Sequence, residues 1–375
     1  MRKSKFMALC AALIGASLTM TQASAASPNT GDDERMSQMR EAPAVSIVAS
    51  QVPPAMVLTP APDSDCTSVK QRLKSLAKAG VKFVPCITAS SSRVMGQVEV
   101  SASDGSTPKL SGQRLAAIVP AQCRKFTDGL WHITLYNTGR CAQKPSTGIV
   151  VTNPQTGTVV GTSTFSLLQY AYSSVDVPFF GYHTEFNFQS FTGTGLPSTV
   201  TGNAACVGAC TLDGSAVPIP TRPVTLRTAI AGESFGKSTV VKVGAVGKPA
   251  NLQHVVTFSN PAWSTTLVAT LTAPSVRCDR ALPGKTTIGC ISPDVKMALI
   301  YSKKGFPQFA SHLARAQKSG LPGAWPAGKP LSRLTNAAKI KANRSTACPS
   351  SLPRPKGKTC DEYPFASTGS SQMRV

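Results

Sequence analysis

The sequence predicts an α+β chain, with a β-rich, sandwich- or barrel-like domain over residues 93–275 and a small mixed α/β domain over 276–375. Three observations carry this. Between about 94 and 275 apolar residues recur with a period of two, as in Trp131-His132-Ile133-Thr134-Leu135-Tyr136, where Trp131, Ile133 and Leu135 share a face. Similar runs at 148–152, 158–172, 185–191, 239–246, 253–258 and 265–272 are separated by Gly, Pro, Asn and Ser, as antiparallel strands are. Past Lys303 the spacing becomes helical: Pro307 suits a first turn, Phe309, Leu313 and Ala316 share a face, and Gly320 closes the segment.

At the amino terminus, Arg2, Lys3 and Lys5 precede an apolar stretch from Phe6 to Leu18 and the small residues Ala23-Ser24-Ala25. This is the pattern of a secretory signal over 1–25, with the mature chain starting near Ala26. A lipoprotein reading through Cys10 fails, because Leu9 is too bulky and the apolar stretch before Cys10 too short. No other stretch approaches the roughly 18 apolar residues of a membrane span. The expected location is therefore secreted, extracellular or periplasmic, with no stable membrane anchor. Residues 26–62, with Pro28, Pro43, Pro53, Pro54, Pro60 and Pro62 among Ser, Thr and Ala, read as a disordered leader.

Residues 63–92 read as a short disulfide-tied helix. Val69, Leu73, Leu76 and Ala77 fall at helical spacing with Lys and Arg between them, and Gly80 lies just beyond. Of the 11 cysteines Cys10 leaves with the signal, so the rest can pair completely. They fall into sequence-near couples: Cys66 with Cys86, Cys123 with Cys141, Cys206 with Cys210, Cys278 with Cys290, and Cys348 with Cys360. Sequence alone does not fix that connectivity. Cys206 and Cys210 have metal or redox alternatives, but with Gly and Ala flanks and no nearby histidine a loop staple is the expectation. Asn153-Pro154-Gln155-Thr156-Gly157, between two Val-rich runs, reads as a hairpin turn. His132, His183 and His254 read as ordinary strand or loop histidines. No repeated aromatic platform or acidic calcium loop marks this region for glycan binding or adhesion, and its role stays open.

The formal net charge is +22, and it stays strongly positive when Arg2, Lys3 and Lys5 are removed. Polyanions are the expected partners: nucleic acid, envelope polymers or lipid headgroups. From Lys303 to Val375 there are 13 Lys and Arg, while the only acids are the neighbours Asp361 and Glu362. A surface that merely attracts polyanions has no use for carboxylates, whereas phosphodiester hydrolysis needs them to hold a divalent ion or activate water. The alternative is a structural turn in which the pair salt-bridges to Lys356, Lys358 or Arg344. A second helix is expected over Ser332–Arg344 with Leu334, Ala337 and Ile340 inward and Lys339, Lys341 and Arg344 open to phosphates. His312 falls on or beside the apolar face of the first helix, where a histidine is more often packed than catalytic.

The segment CDEYPFAST, Cys360–Thr368, preceded by ANRSTACPSSLPRPKGKT, resembles the signature of the secreted bacterial deoxyribonuclease family NucA/NucB. FPQFASHLARA, Phe306–Ala316, is similar to that family's histidine-bearing pattern and places His312 on the family histidine. PLSRLT at 330–335, RCD at 277–279 and GC at 289–290 match longer members. The resemblance covers roughly 276–368. It implies a nuclease-type domain and metal-dependent, sequence-nonspecific hydrolysis of DNA outside the cell, with magnesium or manganese as cofactor. Asp361 and Glu362 would be both catalytic and metal-holding, His312 would polarise a phosphate oxygen or orient the acid, and Arg344, Lys341 and Arg333 would bind the substrate backbone.

The chain also departs from that pattern. Family members continue past this signature with an acidic, glycine-rich stretch and an Asn-Arg-Gly region, whereas here GSSQMRV follows, so the domain is expected to be truncated at its C-terminus and its metal site incomplete. Two neighbouring acids in extended backbone point to opposite faces and share an ion poorly. The competing expectations are a noncatalytic DNA- or envelope-polyanion-binding protein, and an adhesion or glycan-binding module with a relic nuclease tail. No protein partner is inferable.

Overall fold

The computed structural model describes residues 46–51, 55–88, 98–101, 119–135, 138–240, 242–281, 286–325, 328–354, 356–357 and 360–369. The expected signal peptide, most of the expected leader, Lys358 and the tail past Gly369 lie outside them. Strands β1 (Ser46–Gln51) and β2 (Leu58–Pro60) precede helix α1 (Cys66–Lys78), and β3 (Val84–Ile87) and β4 (Val98–Ser101) follow it. Next come β5 (His132–Leu135), β6 (Gly139–Thr152), β7 (Val159–Ser173), β8 (Phe179–Gly193) and β9 (Thr199–Gly208). They are followed by β10 (Cys210–Leu212), β11 (Ile219–Pro223), β12 (Ala229–Ser238), β13 (Val246–Ser259) and β14 (Leu267–Thr272). Last are β15 (Val276–Asp279), β16 (Gly289–Ile291), β17 (Lys296–Ile300), α2 (Pro307–Lys318) and α3 (Ala337–Ala347).

The chain is strand-rich. One seven-stranded sheet runs β10-β12-β8-β7-β6-β3, with β5 also on β6, and a second runs β11-β9-β13-β14-β2, extended through β15 and β16. The strand pairs of both sheets are antiparallel. Alternation makes the core between them: Tyr182, Thr184, Phe186 and Phe188 on β8, and Leu252, His254, Val256 and Phe258 on β13, all point inward and are buried. Phe258 sits against Phe165, Phe186 and Phe188 of the opposite sheet, with ring centroids 5.6–6.0 Å apart. Burying each such ring contributes about 1.5–3 kcal/mol. Pro145 cannot donate to a ladder, and the β6–β7 register shifts between Lys144 and Thr147 where it lies.

The β core reaches past 93–275 on both sides. β2 pairs with β14 and β3 with β6, while β15 and β16 extend the second sheet, so the RCD and GC motifs lie in that sheet rather than beside the C-terminal helices. Helix α1 is capped by Asp65, whose side chain accepts from Ser68 N at 3.0 Å, and buries Val69 against Val84 and Cys86. Gly80, with φ of +74°, takes the left-handed conformation that ends it. The 153–157 hairpin closes as expected, with Gly157 N donating to Asn153 O at 2.8 Å.

Two expectations are corrected. In the expected strand at 239–246, Val241 lies outside the described residues, and the described residues before Val246 form no strand but the bend joining β12 to β13, where Val243 is exposed and Gly244 has φ of +81°. Of the described valines there, Val246 alone joins the sheet, opposite Asp279. The helix expected over 332–344 starts only at Ala337, because Asn336 caps it by accepting from Lys339 N at 3.0 Å. Ala337 is consequently exposed, and the inward positions are Ile340, Asn343 and Ala347.

All five expected cysteine couples are disulfides: Cys66–Cys86, Cys123–Cys141, Cys206–Cys210, Cys278–Cys290 and Cys348–Cys360. This is the chemistry of an oxidising, extracellular-type compartment. No helix among the described residues is long and apolar enough to cross a membrane. Thiol titration of the mature protein, denatured without reductant, is expected to find at most a trace of free thiol. Two or more free groups per chain would contradict the pairing.

Candidate nucleic-acid interface

Three of the segments that carry the resemblance, 306–316, 330–335 and 360–368, meet in space. The end of 330–335 pairs with the end of 360–368 through an antiparallel bridge of Arg333 with Thr368, Leu334 N donating to Ser367 O at 2.7 Å and Gly369 N to Ser332 O at 2.8 Å. Aromatic rings join the 360–368 segment to α2: Tyr301 meets Phe309 at 4.8 Å, Phe309 meets Phe365 at 6.2 Å and Phe365 meets Tyr363 at 5.6 Å. The buried Tyr363 hydroxyl donates to Pro322 O at 2.6 Å and accepts from Gln317 Nε2 at 3.0 Å. Helix α3 is fastened by Asn343, whose amide donates to Ala366 O at 3.0 Å and Thr368 O at 3.3 Å. The sequence reading passed over Asn343. Its position one turn from Ile340 and from Ala347 was the available signal.

The predicted acids part company. Asp361 is exposed. Glu362 is largely buried, with one oxygen 3.7 Å from Arg344 Nε and 3.3 Å from Ala366 N, while its other oxygen and His312 Nε2 are buried without a hydrogen-bond partner. No ion pair joins His312 to Glu362 among the described residues. The contact of Glu362 with Arg344 is the structural-turn alternative raised for the acidic pair.

A nuclease's divalent ion is commonly held by one or two carboxylates, with waters and substrate phosphates completing its shell. Among the described residues no three His, Cys, Asp or Glu side chains are grouped to hold one. The two unpartnered atoms, Glu362 Oε2 and His312 Nε2, are the only features of the predicted set that point to a missing ligand, and they do not make a coordination shell together with the exposed Asp361. The two acids and His312 do not converge on one point among the described residues, and no catalytic step is derived through an ion.

The cations are arranged differently. Every described Lys and Arg from Lys303 to Lys356 is exposed, Arg333, Lys341 and Arg344 among them. Of these, Arg344 alone has an acidic partner within ion-pair distance among the described residues. A second basic stripe lies on α1, where Lys70, Lys74 and Lys78 recur every four residues and are exposed.

A cleft of about 550 Å³ opens between β17, α2 and the paired motif segments. Arg333 lines it, but Asp361, Glu362, His312 and Arg344 do not. On α2 its wall is Ala310, Leu313, Ala314 and Gln317; His312 falls outside that face by the 3.6-residue period.

The histidines of the β region are structural. His254 is fully buried, with Thr184 Oγ1 at 2.9 Å from Nδ1 and Ser234 Oγ at 2.7 Å from Nε2, and burial pulls its pKa down to about 3. His132 stacks on Phe126 at 4.0 Å and pairs with Asp128 at 2.9 Å, a carboxylate four residues earlier that the sequence reading had not associated with it. Burial also lowers the pKa of His183. On the same outer sheet face, Arg124 donates to both oxygens of Glu185 at 2.9 Å, holding that carboxyl below its ordinary range.

No protein-family model, curated protein or solved structure matches this chain.

Proposed function

We propose that this is an exported, disulfide-stapled protein whose C-terminal region engages DNA through its phosphates, in the manner of the NucA/NucB deoxyribonucleases it resembles, and cleaves it slowly if at all. The observation that carries the reading is the field of exposed, largely unpaired cations from Lys303 to Lys356. Such a surface binds any sequence alike, because phosphates are the same at every step. The meeting of the FPQFASHLARA, PLSRLT and CDEYPFAST segments in one packed unit supports the resemblance. Asn343, Tyr363 and Gln317 hold that unit together, and Arg333, Lys341 and Arg344 face solvent on it.

The second reading, metal-dependent hydrolysis of the phosphodiester, rests on the unpartnered Glu362 oxygen and His312 nitrogen. Removing one transition-state stabiliser costs on the order of 100- to 1,000-fold in rate, and the slow-cleavage reading supposes such a loss because Asp361 is exposed, apart from the two unpartnered atoms. Plasmid incubated with the mature chain and magnesium or manganese is expected to be retarded on a gel but barely nicked. Rapid nicking that Asp361→Ala abolishes would establish the nuclease reading and refute slow cleavage. Absence of retardation at low salt would refute DNA engagement itself.

A further inference from the structure

Resting on that reading, we infer that the cleft beside β17 is a base-stacking subsite that takes a nucleotide of single-stranded DNA, so that the C-terminal region prefers an unpaired strand to a duplex. The cleft combines what such a ligand requires. Tyr301, Trp325, Tyr363 and Phe365 line it, and its remaining walls are largely aliphatic, with Leu299 and Leu313 on facing elements. Lys296 and Arg333, both exposed and neither in an ion pair among the described residues, are also part of its lining. Among the described residues no Asp or Glu contributes to it. Cations beside an aromatic-lined recess, with no opposing carboxylate among the described residues, complement a planar base joined to a phosphate. An uncharged apolar ligand would leave the cations unused. A duplex, with its bases stacked inside, would meet the cations and leave the aromatic lining unused.

The cleft is rigidly framed. The Tyr363 hydroxyl is fixed by Pro322 O and Gln317, and the 330–335 segment is bonded to 367–369. Gly323, with φ of +102°, lies where an added Cβ would run into the Tyr363 hydroxyl, so the loop leading to Trp325 can follow its path only with glycine at that position.

The test uses the full mature chain and three DNA probes of equal phosphate count: an unstructured single strand, the same strand made abasic, and a duplex. Trp131 and Trp263 are buried, so quenching of tryptophan emission reports on Trp325 once it is checked against Trp325→Phe. The base-bearing strand is expected to quench this emission and to bind on the order of tenfold more tightly than the abasic strand. Trp325→Ala should remove that difference while leaving abasic binding unchanged, and Trp325→Phe should keep most of it. Equal binding of base-bearing and abasic strands by the unmodified chain would overturn the stacking subsite while leaving phosphate binding intact. Failure to bind any of the three at low salt would instead refute the DNA reading on which the subsite rests. Occupation of the cleft by an apolar peptide that the single strand does not displace would also overturn it.

Discussion

DNA affinity of the mature chain is expected to fall by about 10³-fold or more between roughly 50 and 200 mM salt, the loss that accompanies about six or more phosphate contacts. Each cation that neutralises a phosphate releases a condensed counterion, and that release loses its entropic advantage as bulk salt rises. The number of contacts is plausible from the surface alone: Lys303, Lys304, Arg315, Lys318, Lys329 and Arg333 are all exposed, as are Lys339, Lys341 and Arg344 on α3. Among the described residues only Arg344 of these is partly engaged by an acid, at 3.7 Å, and its side chain is 67% exposed, so that contact yields easily to a phosphate. Fluorescence anisotropy with a labelled duplex measures the dependence directly. Binding unchanged across that salt range would contradict phosphate contact as the source of affinity.

The second large effect is acid lability of the β core. His254 is buried between Thr184 and Ser234, where desolvation holds its pKa at about 3, against about 6.5 in an unfolded chain. The charged form is disfavoured only in the folded state, so the contribution of His254 is fully present above about pH 6.5. As pH falls below that value the unfolded chain takes up a proton that the folded chain refuses. Stability then declines by about 1.4 kcal/mol per pH unit from this group until the folded histidine titrates near 3. His183, also held down by burial, acts in the same direction. Between pH 7 and pH 5 the unfolding free energy in urea is expected to drop by about 2 kcal/mol more for the unmodified chain than for His254→Gln, which has no proton to gain. Equal losses would show that His254 is not buried neutral.

Much of the β core was legible because alternation is a local signal. The runs at 148–152 and 253–258 lie within β6 and β13, the run at 158–172 matches β7 to within one residue, and the disulfide couples followed from proximity in sequence. Strand partners were not legible, since β2 pairs with β14 across some two hundred residues and nothing within Leu58–Pro60 encodes that. The alternating pattern at 239–246 shows the converse failure, a strand signal of which only Val246 joins a sheet among the described residues. In the C-terminal region the motif order identified the segments that pack together, but not their geometry. Neighbouring acids looked alike in sequence, yet Glu362 is drawn inward by Ala366 N and Arg344 while Asp361 is left in solvent. The cleft was invisible beforehand because β17, α2, the loop at Trp325 and the segment at Tyr363 supply its lining from separate parts of the chain.

The central claim, that DNA is held by the C-terminal cations, is tested most directly by comparing two triple substitutions in the full chain. One replaces Lys339, Lys341 and Arg344 on α3 with glutamine, and the other replaces Lys70, Lys74 and Lys78 on α1, an exposed basic stripe of equal charge. For each, the logarithm of duplex affinity is measured against the logarithm of salt concentration. The α3 substitutions are expected to flatten the slope by about 0.9 per lost phosphate contact and the α1 substitutions to leave it unchanged. A slope that flattens only when α1 is altered would contradict the claim and move the interface to the β-rich part of the chain.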